Sequence, residues 1–135
     1  MDNKELIRLA LEAREMAYVP YSGFKVGAAL LTKEGKVYKG CNIENAGYTP
    51  TNCAERTAFF KAVSEGEREF SAIAIVGGKG GLPTDYAYPC GVCRQVMMEF
   101  CDPKTFRVIT AISEYTYLDK TLEEMLPFSF GPSNL

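Results

Sequence analysis

The chain has 135 residues, of which 47% are hydrophobic and 24% charged, and this composition predicts one globular domain over residues 1–135. The net charge is −2 and no block of lysine or arginine occurs, so we expect a small-molecule partner and no nucleic acid. There is no histidine, which excludes a Ser-His-Asp triad and any metal site that uses imidazole. No signal-peptide pattern or membrane-length apolar run occurs, so we expect a cytoplasmic protein with no membrane partner.

Hydrophobic periodicity predicts four helices and five strands along the chain. The first helix is capped by Asp2 or Asn3 and is stopped by Pro20, and the second is capped by Thr51 or Asn52. The predicted helices cover residues 3–18, 52–64, 90–100 and 122–126. The predicted strands cover residues 24–31, 36–41, 71–76, 106–112 and 114–119. The last helix begins at Thr121, where Glu124 completes a capping box.

A hairpin followed by strand–helix–strand units predicts one mixed five-stranded sheet with helices packed on its faces, an α/β fold. Two segments between these elements are irregular. Residues 41–50 are rich in asparagine, glycine and threonine, and we interpret this loop as a ligand-binding segment. Residues 77–88 contain four glycines and Pro83 and predict a mobile surface loop.

Two segments carry the candidate chemistry. Thr51-Asn-Cys-Ala-Glu-Arg-Thr57 offers the thiol of Cys53 and, two residues later, the carboxylate of Glu55. Pro89-Cys-Gly-Val-Cys-Arg94 offers a Cys-x-x-Cys pair, Cys90 and Cys93. Three thiolates suit a catalytic zinc whose fourth position is left for water, and Glu55 is then a general acid/base. Both segments fall at predicted helix N-termini, where partial positive charge favours thiolate over thiol.

Three thiolates make zinc a weak Lewis acid unless other groups withdraw charge from sulfur. Arg56 and Arg94 each follow a candidate ligand closely, and we expect both to donate hydrogen bonds to thiolates, Arg56 with the larger effect. A Cys-x-x-Cys pair also occurs in structural zinc knuckles and in redox dithiols. A structural site needs a fourth ligand, and the only other thiols, Cys41 and Cys101, are interpreted as buried cysteines.

The motifs resemble those of the small, homotetrameric, three-cysteine cytidine deaminases. The zinc deaminase signature is H-x-E followed by P-C-x-x-C, and Cys53-Ala-Glu55 with Pro89-Cys-Gly-Val-Cys93 is its three-cysteine version. The resemblance extends over Phe24-Lys-Val-Gly-Ala-Ala29, Gly40-Cys-Asn-Ile-Glu-Asn45 and Leu126-Pro-Phe-Ser-Phe-Gly131. It implies a three-layer α/β/α sandwich, one zinc ion per subunit, a homotetramer, and hydrolysis of cytidine and deoxycytidine for pyrimidine salvage.

The resemblance also implies roles for single residues. Glu55 would carry protons from water to N3 of cytosine and to the leaving ammonia, and Asn42 and Glu44 would bind the sugar 3′-hydroxyl. Phe130 would stack on the base in a neighbouring subunit's site. Ala46 and Tyr48 resemble residues that line the same shared site. Independently of the resemblance, Ala54 is small enough for its backbone to meet the base, and Phe24 is expected to pack on the base or sugar, with a place in the core as an equal alternative.

Three other functions remain open from the sequence. A zinc deaminase of another cytosine-containing small molecule is disfavoured by Asn42-Ile-Glu44, which resembles the ribose-binding motif. A polynucleotide-editing deaminase is disfavoured by the acidic balance of charge. A non-catalytic zinc module would hold zinc but release no ammonia from cytidine. Residues 77–88 match no motif of the family, and an altered entrance to the site is one expected consequence.

Overall fold

The computed structural model describes residues 1–135, and the predicted order of four helices and five strands is confirmed. The helices are α1 (Asn3–Arg14), α2 (Ala54–Ser64), α3 (Gly91–Phe100) and α4 (Leu122–Met125). The strands are β1 (Phe24–Thr32), β2 (Val37–Cys41), β3 (Phe70–Lys79), β4 (Arg107–Ser113) and β5 (Thr116–Thr121). A short 3₁₀ turn, Pro132–Asn134, ends the chain. None of these helices combines the length and the apolar character that crossing a membrane requires.

The strands form one mixed sheet in the order β2-β1-β3-β4-β5, as predicted. The β3–β4 pair is parallel and the other three pairs are antiparallel. A parallel pair needs a long crossover, and α3 lies within that connection. The β3–α3–β4 unit therefore fixes the start of α3 beyond the end of β3.

Alternate residues of the strands face two separate apolar layers, which confirms the three-layer α/β/α sandwich. Ala28 and Leu30 of β1 pack on the side of α2, α3 and α4, whereas Ala29 and Leu31 pack on the side of α1. This alternation is the two-residue period of a strand that is buried on both faces. The helices that carry the candidate ligands, α2 and α3, therefore share one face of the sheet.

Glycine allows α2 to start close against the sheet. A Cβ atom built on Gly40 of β2 would lie 2.4 Å from the Ala54 carbonyl oxygen and 2.6 Å from the Ala58 nitrogen. Any larger residue would displace the first turn of α2, because backbone atoms cannot yield as a flexible side chain can. Gly40 thus helps to set the position of Cys53 and Glu55.

The first helix ends earlier than predicted, at Arg14 rather than near Tyr18. The backbone nitrogen of Tyr18 donates to the Asn42 oxygen (3.0 Å), and the Glu44 nitrogen donates to the Tyr18 oxygen (2.9 Å). These bonds hold Tyr18 extended beside the 42–44 segment, so long-range pairing overrides the local helical pattern. The cap predicted at Asp2 is present.

The prediction that residues 77–88 form one surface loop is wrong at its first residues. Gly77, Gly78 and Lys79 continue β3, opposite Val26, Lys25 and Phe24 of β1. Gly77 also has a packing role, since a Cβ atom there would lie 2.8 Å from the Ala87 Cβ. The end of the segment therefore folds back onto the strand, and Ala87 is buried.

Candidate metal centre and substrate pocket

The N-termini of α2 and α3 bring three cysteine thiols together. Cys53 and Cys90 are themselves the N-cap residues of the two helices, and Cys93 lies in the first turn of α3. The cap of α2 is thus one or two residues later than predicted. Cys90 Sγ accepts a hydrogen bond from the Cys93 backbone nitrogen (3.4 Å). A free N–H at a helix start favours thiolate at that position.

The spacing of the three sulfurs fits a zinc ion. All three Sγ atoms lie within 4.8 Å of one another, and the Cys53 and Cys90 Sγ atoms are 3.7 Å apart. Two thiolates on a tetrahedral zinc, each at about 2.3 Å, would be separated by about 3.8 Å. Neither Cys41 nor Cys101 belongs to this group, so no fourth thiol closes the site. Cys101 is buried as predicted, and Cys41 is only half-buried.

Hydrogen bonds shift the pKa values of Cys53 and Cys93 in opposite directions. Donation from Cys93, then from Arg56 and Cys90, lowers the pKa of Cys53 to about 5 against the opposing effect of burial. The same bond, together with burial, raises the pKa of Cys93. The lowered pKa favours the thiolate form of Cys53, which is the form that binds a metal.

Arg56 contacts the thiols as the sequence suggests. Its Nη2 donates to Cys53 Sγ over 3.3 Å. Burial opposes its charge, but hydrogen bonds to Cys53 and Cys93 outweigh burial and raise its pKa. Arg56 is thus a fixed positive charge beside the sulfurs, positioned to reduce the electron density that they donate to a metal.

Arg94 does not make the predicted contact with a thiolate. Its Nε donates to the Pro89 carbonyl oxygen (2.8 Å), and its Nη1 donates to the Met125 carbonyl oxygen. Both partners are backbone carbonyl groups, one just before α3 and the other at the end of α4, and the planar guanidinium fork reaches both. Arg94 therefore ties the start of α3 to the end of α4, next to Cys90.

Glu55 is the buried carboxyl group of the site. It lies in the first turn of α2 and is only 4% exposed. Burial, together with the negative charge of Cys53, raises its pKa to about 7. A carboxyl group with such a pKa both accepts and releases a proton near neutral pH, which a general acid/base requires.

A cavity of about 290 Å³ opens beside Glu55 and the thiols. Three residues predicted to bind substrate line it: Phe24, Asn42 and Ala54. Four further lining residues were missed from the sequence. These are Val26, Tyr86, Ala87 and Tyr88. Val26 could have been found from the strand period, because it shares a face of β1 with Phe24.

The polar groups predicted to bind a sugar are held by local hydrogen bonds. Asn42 Oδ1 accepts from the Val26 nitrogen (2.9 Å), and its Nδ2 donates to the Phe24 oxygen (2.8 Å). The Glu44 carboxylate accepts from the backbone nitrogens of Tyr21 and Ser22 (3.0 and 3.1 Å). Its pKa is lowered, first by the hydroxyl of Ser22. Both side chains are therefore fixed in orientation, with oxygen lone pairs or N–H groups left over.

Four predicted residues lie outside the cavity of their own chain. Glu44 and Tyr48 line a neighbouring surface depression, and Ala46 and Tyr48 are exposed. Phe130 is 58% exposed and does not line the cavity beside Glu55. Its backbone is anchored nonetheless, because Gln95 Nε2 donates to the Phe130 oxygen (2.9 Å).

Comparison with known proteins gives a consistent result. A family model described as the cytidine and deoxycytidylate deaminase zinc-binding region matches residues 1–109. The cytidine deaminase of Halalkalibacterium halodurans is 53% identical over all of this chain and 98% of its own length. That of Sporosarcina psychrophila is 50% identical over all of this chain and 96% of its own length.

Solved structures agree with the sequence comparisons. The cytidine deaminase from Burkholderia pseudomallei has a TM-score of 0.87 and 48% identity, and the match covers 96% of this chain and 100% of that one. The cytidine deaminase from Mycobacterium tuberculosis has a TM-score of 0.81 and 37% identity, with 97% and 98% covered. The chain therefore belongs to the family of zinc-binding cytidine and deoxycytidylate deaminases.

Proposed function

We propose that this chain is a zinc-dependent hydrolase that converts cytidine and deoxycytidine to uridine and deoxyuridine and releases ammonia. The observation that carries the proposal is the buried carboxyl group of Glu55 beside three convergent thiols and an open cavity. Cys53, Cys90 and Cys93 would hold the zinc, which would supply a Lewis acid that activates water. This chemistry corresponds to pyrimidine salvage in the cytoplasm by a single domain, residues 1–135.

Glu55 moves the protons of the reaction. It takes one proton from water as the oxygen adds to C4 of cytosine, and it gives that proton to N3. It then passes a second proton from the added oxygen to the leaving amine, so that ammonia departs and the carbonyl of uracil forms. A carboxyl group with a pKa of about 7 suits both directions of transfer.

The cavity favours a nucleoside over a nucleotide. Its lining is mostly apolar or aromatic, and apart from the candidate metal ligands Cys53 and Cys90 its only acidic side chain is Glu55. No lysine or arginine lines it to pair with a phosphate, and Glu44 in the adjacent depression would repel one. Asn42 and Glu44 instead suit sugar hydroxyls. The 3′-hydroxyl that these side chains are expected to bind is present in both ribose and deoxyribose, which supports the use of both.

The active form is a homotetramer with one zinc per subunit and with sites shared between subunits. Support comes from exposed aromatic rings that the isolated chain leaves in water, among them Tyr48 (88% exposed) and Phe130. Large exposed apolar surfaces of this kind mark interfaces. In this proposal each subunit contributes Ala46, Tyr48 and Phe130 to the site of a neighbouring subunit.

The test is the ultraviolet absorbance of cytidine incubated with the purified protein. We expect absorbance to fall with the conversion to uridine, ammonia to be released in equal amount, and both to stop after a chelator removes zinc. Restoring zinc should restore the reaction. A zinc-loaded protein that releases no ammonia from cytidine would instead be a non-catalytic zinc module, or a deaminase of another cytosine-containing compound that the same assay detects with that compound.

Arg56→Gln is expected to reduce catalysis more than zinc retention. Without the guanidinium, Cys53 donates more electron density to the metal, and the water becomes harder to ionise. The expected loss in kcat is about 10–100-fold, the usual size of an effect on groups that contact metal ligands. Zinc content by atomic absorption and the pH profile of kcat measure it. Unchanged kcat with an unchanged pH profile would reduce Arg56 to a structural role.

A further inference from the structure

We propose that Arg14 is a positioning residue for the substrate cavity, acting through the sheet from the face opposite to the site. This inference rests on the proposed deaminase function. Arg14 is the last residue of α1 and is only 2% exposed, although it carries a charge. It forms no salt bridge, and a charge buried without an opposite charge is costly unless hydrogen bonds compensate. Its contacts must therefore account for its burial.

The guanidinium of Arg14 joins the ends of two strands. Its Nε donates to the Lys25 oxygen of β1 (3.1 Å), and its Nη2 donates to the Gly78 oxygen of β3 (2.7 Å). Lys25 and Gly78 stand directly opposite each other in the β1–β3 register. A third, longer bond runs from Nη2 to the Gly80 oxygen (3.4 Å), just beyond the strand. The planar guanidinium of Arg14 thus binds the Lys25–Gly78 pair, which is one rung of the β1–β3 ladder, and Gly80, the first residue after β3.

The residues next to that rung form the wall of the cavity. Phe24 and Val26, on either side of Lys25, point to the other face and line the cavity. Gly77, next to Gly78, is packed so closely on that face that an added Cβ would lie 2.8 Å from Ala87 and 3.0 Å from Val26. Ala87, between Tyr86 and Tyr88, also lines the cavity. A shift of the rung therefore moves both walls.

The metal ligands and Glu55 are not attached to this rung. They lie at the starts of α2 and α3, whose positions depend on other contacts, such as Gly40 against Ala54. Loss of the hydrogen bonds from Arg14 should therefore weaken substrate binding and leave zinc in place. The role assigned to Arg14 is to hold the pocket wall, and it touches neither substrate nor metal.

Arg14→Gln in the zinc-loaded protein tests this assignment. We expect full zinc content and a KM for cytidine raised about tenfold, with a smaller change in kcat; misplacement of about 1 Å by remote mutations costs up to about 100-fold in kcat/KM. Amide hydrogen exchange of residues 77–88 should quicken by on the order of tenfold, because this segment loses its anchors. Amides of α2 and α3 should not change. Arg14→Lys, which keeps the charge but not the fork, should show a partial effect.

Leu6→Ala is the matched control. Leu6 is buried on the same helix but packs in the apolar layer between α1 and the sheet, so this variant destabilises α1 without touching the rung. Its KM should stay at the wild-type value.

An equal rise of KM in Leu6→Ala would overturn the proposal, as would unchanged KM and unchanged hydrogen exchange in Arg14→Gln. If Arg14→Gln does not fold, Arg14→Lys decides by the same criteria. If the wild type does not convert cytidine, the proposed function fails, and hydrogen exchange alone still decides the role of Arg14.

Discussion

Glu55→Gln is expected to lower turnover of cytidine by about 10⁴-fold or more, because one proton transfer alone is typically worth about 10²–10⁴-fold and Glu55 serves several steps. Glutamine has almost the same shape, but its amide cannot accept the proton of water and return it. The chain contains no histidine that could replace Glu55. The variant should keep its fold and zinc, because Glu55 does not belong to the group of three sulfurs. Turnover is measured by absorbance, and zinc by atomic absorption.

A second carboxylate of the same helix provides the control. Glu65 is the exposed C-cap residue of α2, at the end opposite to the site. Glu65→Gln makes the same substitution at an exposed position, and its turnover should remain that of the wild type. Because burial raises the pKa of Glu55, removing its charge should also not unfold the protein at neutral pH. Near-wild-type turnover in zinc-loaded Glu55→Gln would remove Glu55 from the mechanism.

The convergence of the three thiols could be predicted from the sequence because it depends on where the cysteines stand relative to the helices. Cys53 and Cys90 directly precede apolar periodic segments, so both had to fall near helix starts. Both helices lie in crossovers between parallel strands, α2 between β2 and β3 and α3 between β3 and β4. Right-handed crossovers that proceed in one direction across a sheet place their helices on the same face. The metal group thus follows from local patterns plus one rule of topology.

The sequence could not predict in this way that Tyr86 and Tyr88 line the cavity, or which groups Arg94 binds. Glycine is rare in strands, so Gly77 and Gly78 indicate a loop, and it is the close approach of Ala87 to Gly77 that accounts for a glycine within the strand. That approach also determines that Tyr86 and Tyr88 line the cavity. Arg94 follows a ligand as closely as Arg56 does, but the carbonyl groups that it binds come from the ends of other elements. Such long-range partners leave no periodic signal.

Phe130→Ala and Glu55→Gln are each expected to be poorly active alone and to regain activity when their subunits are mixed. The chain tail supports this expectation. Gly131 is packed so closely against Met98 of α3 that a Cβ there would lie 2.9 Å from its Cε, yet the ring of Phe130 remains 58% exposed and that of Phe128 fully exposed. A backbone that is fixed while its aromatic rings face water fits a segment that completes another molecule's surface.

Stacking of Phe130 on a neighbour's cytosine would contribute about 1–3 kcal/mol, by analogy with bases on aromatic platforms. In hybrid tetramers some sites combine Glu55 from one chain with Phe130 from another, and for random exchange of equal amounts about a quarter of the sites are intact in a symmetric shared-site assembly. Activity after mixing should therefore exceed the sum of the two parents and approach about a quarter of the wild-type value. Mixing Glu55→Gln with Cys93→Ala is the control, because Glu55 lies beside the sulfurs of its own chain, so both changes damage the same chain's centre and no intact site can form. If subunit exchange is demonstrated by mass spectrometry and the first pair gains no more than the control pair, Phe130 acts within its own chain and the site is not shared.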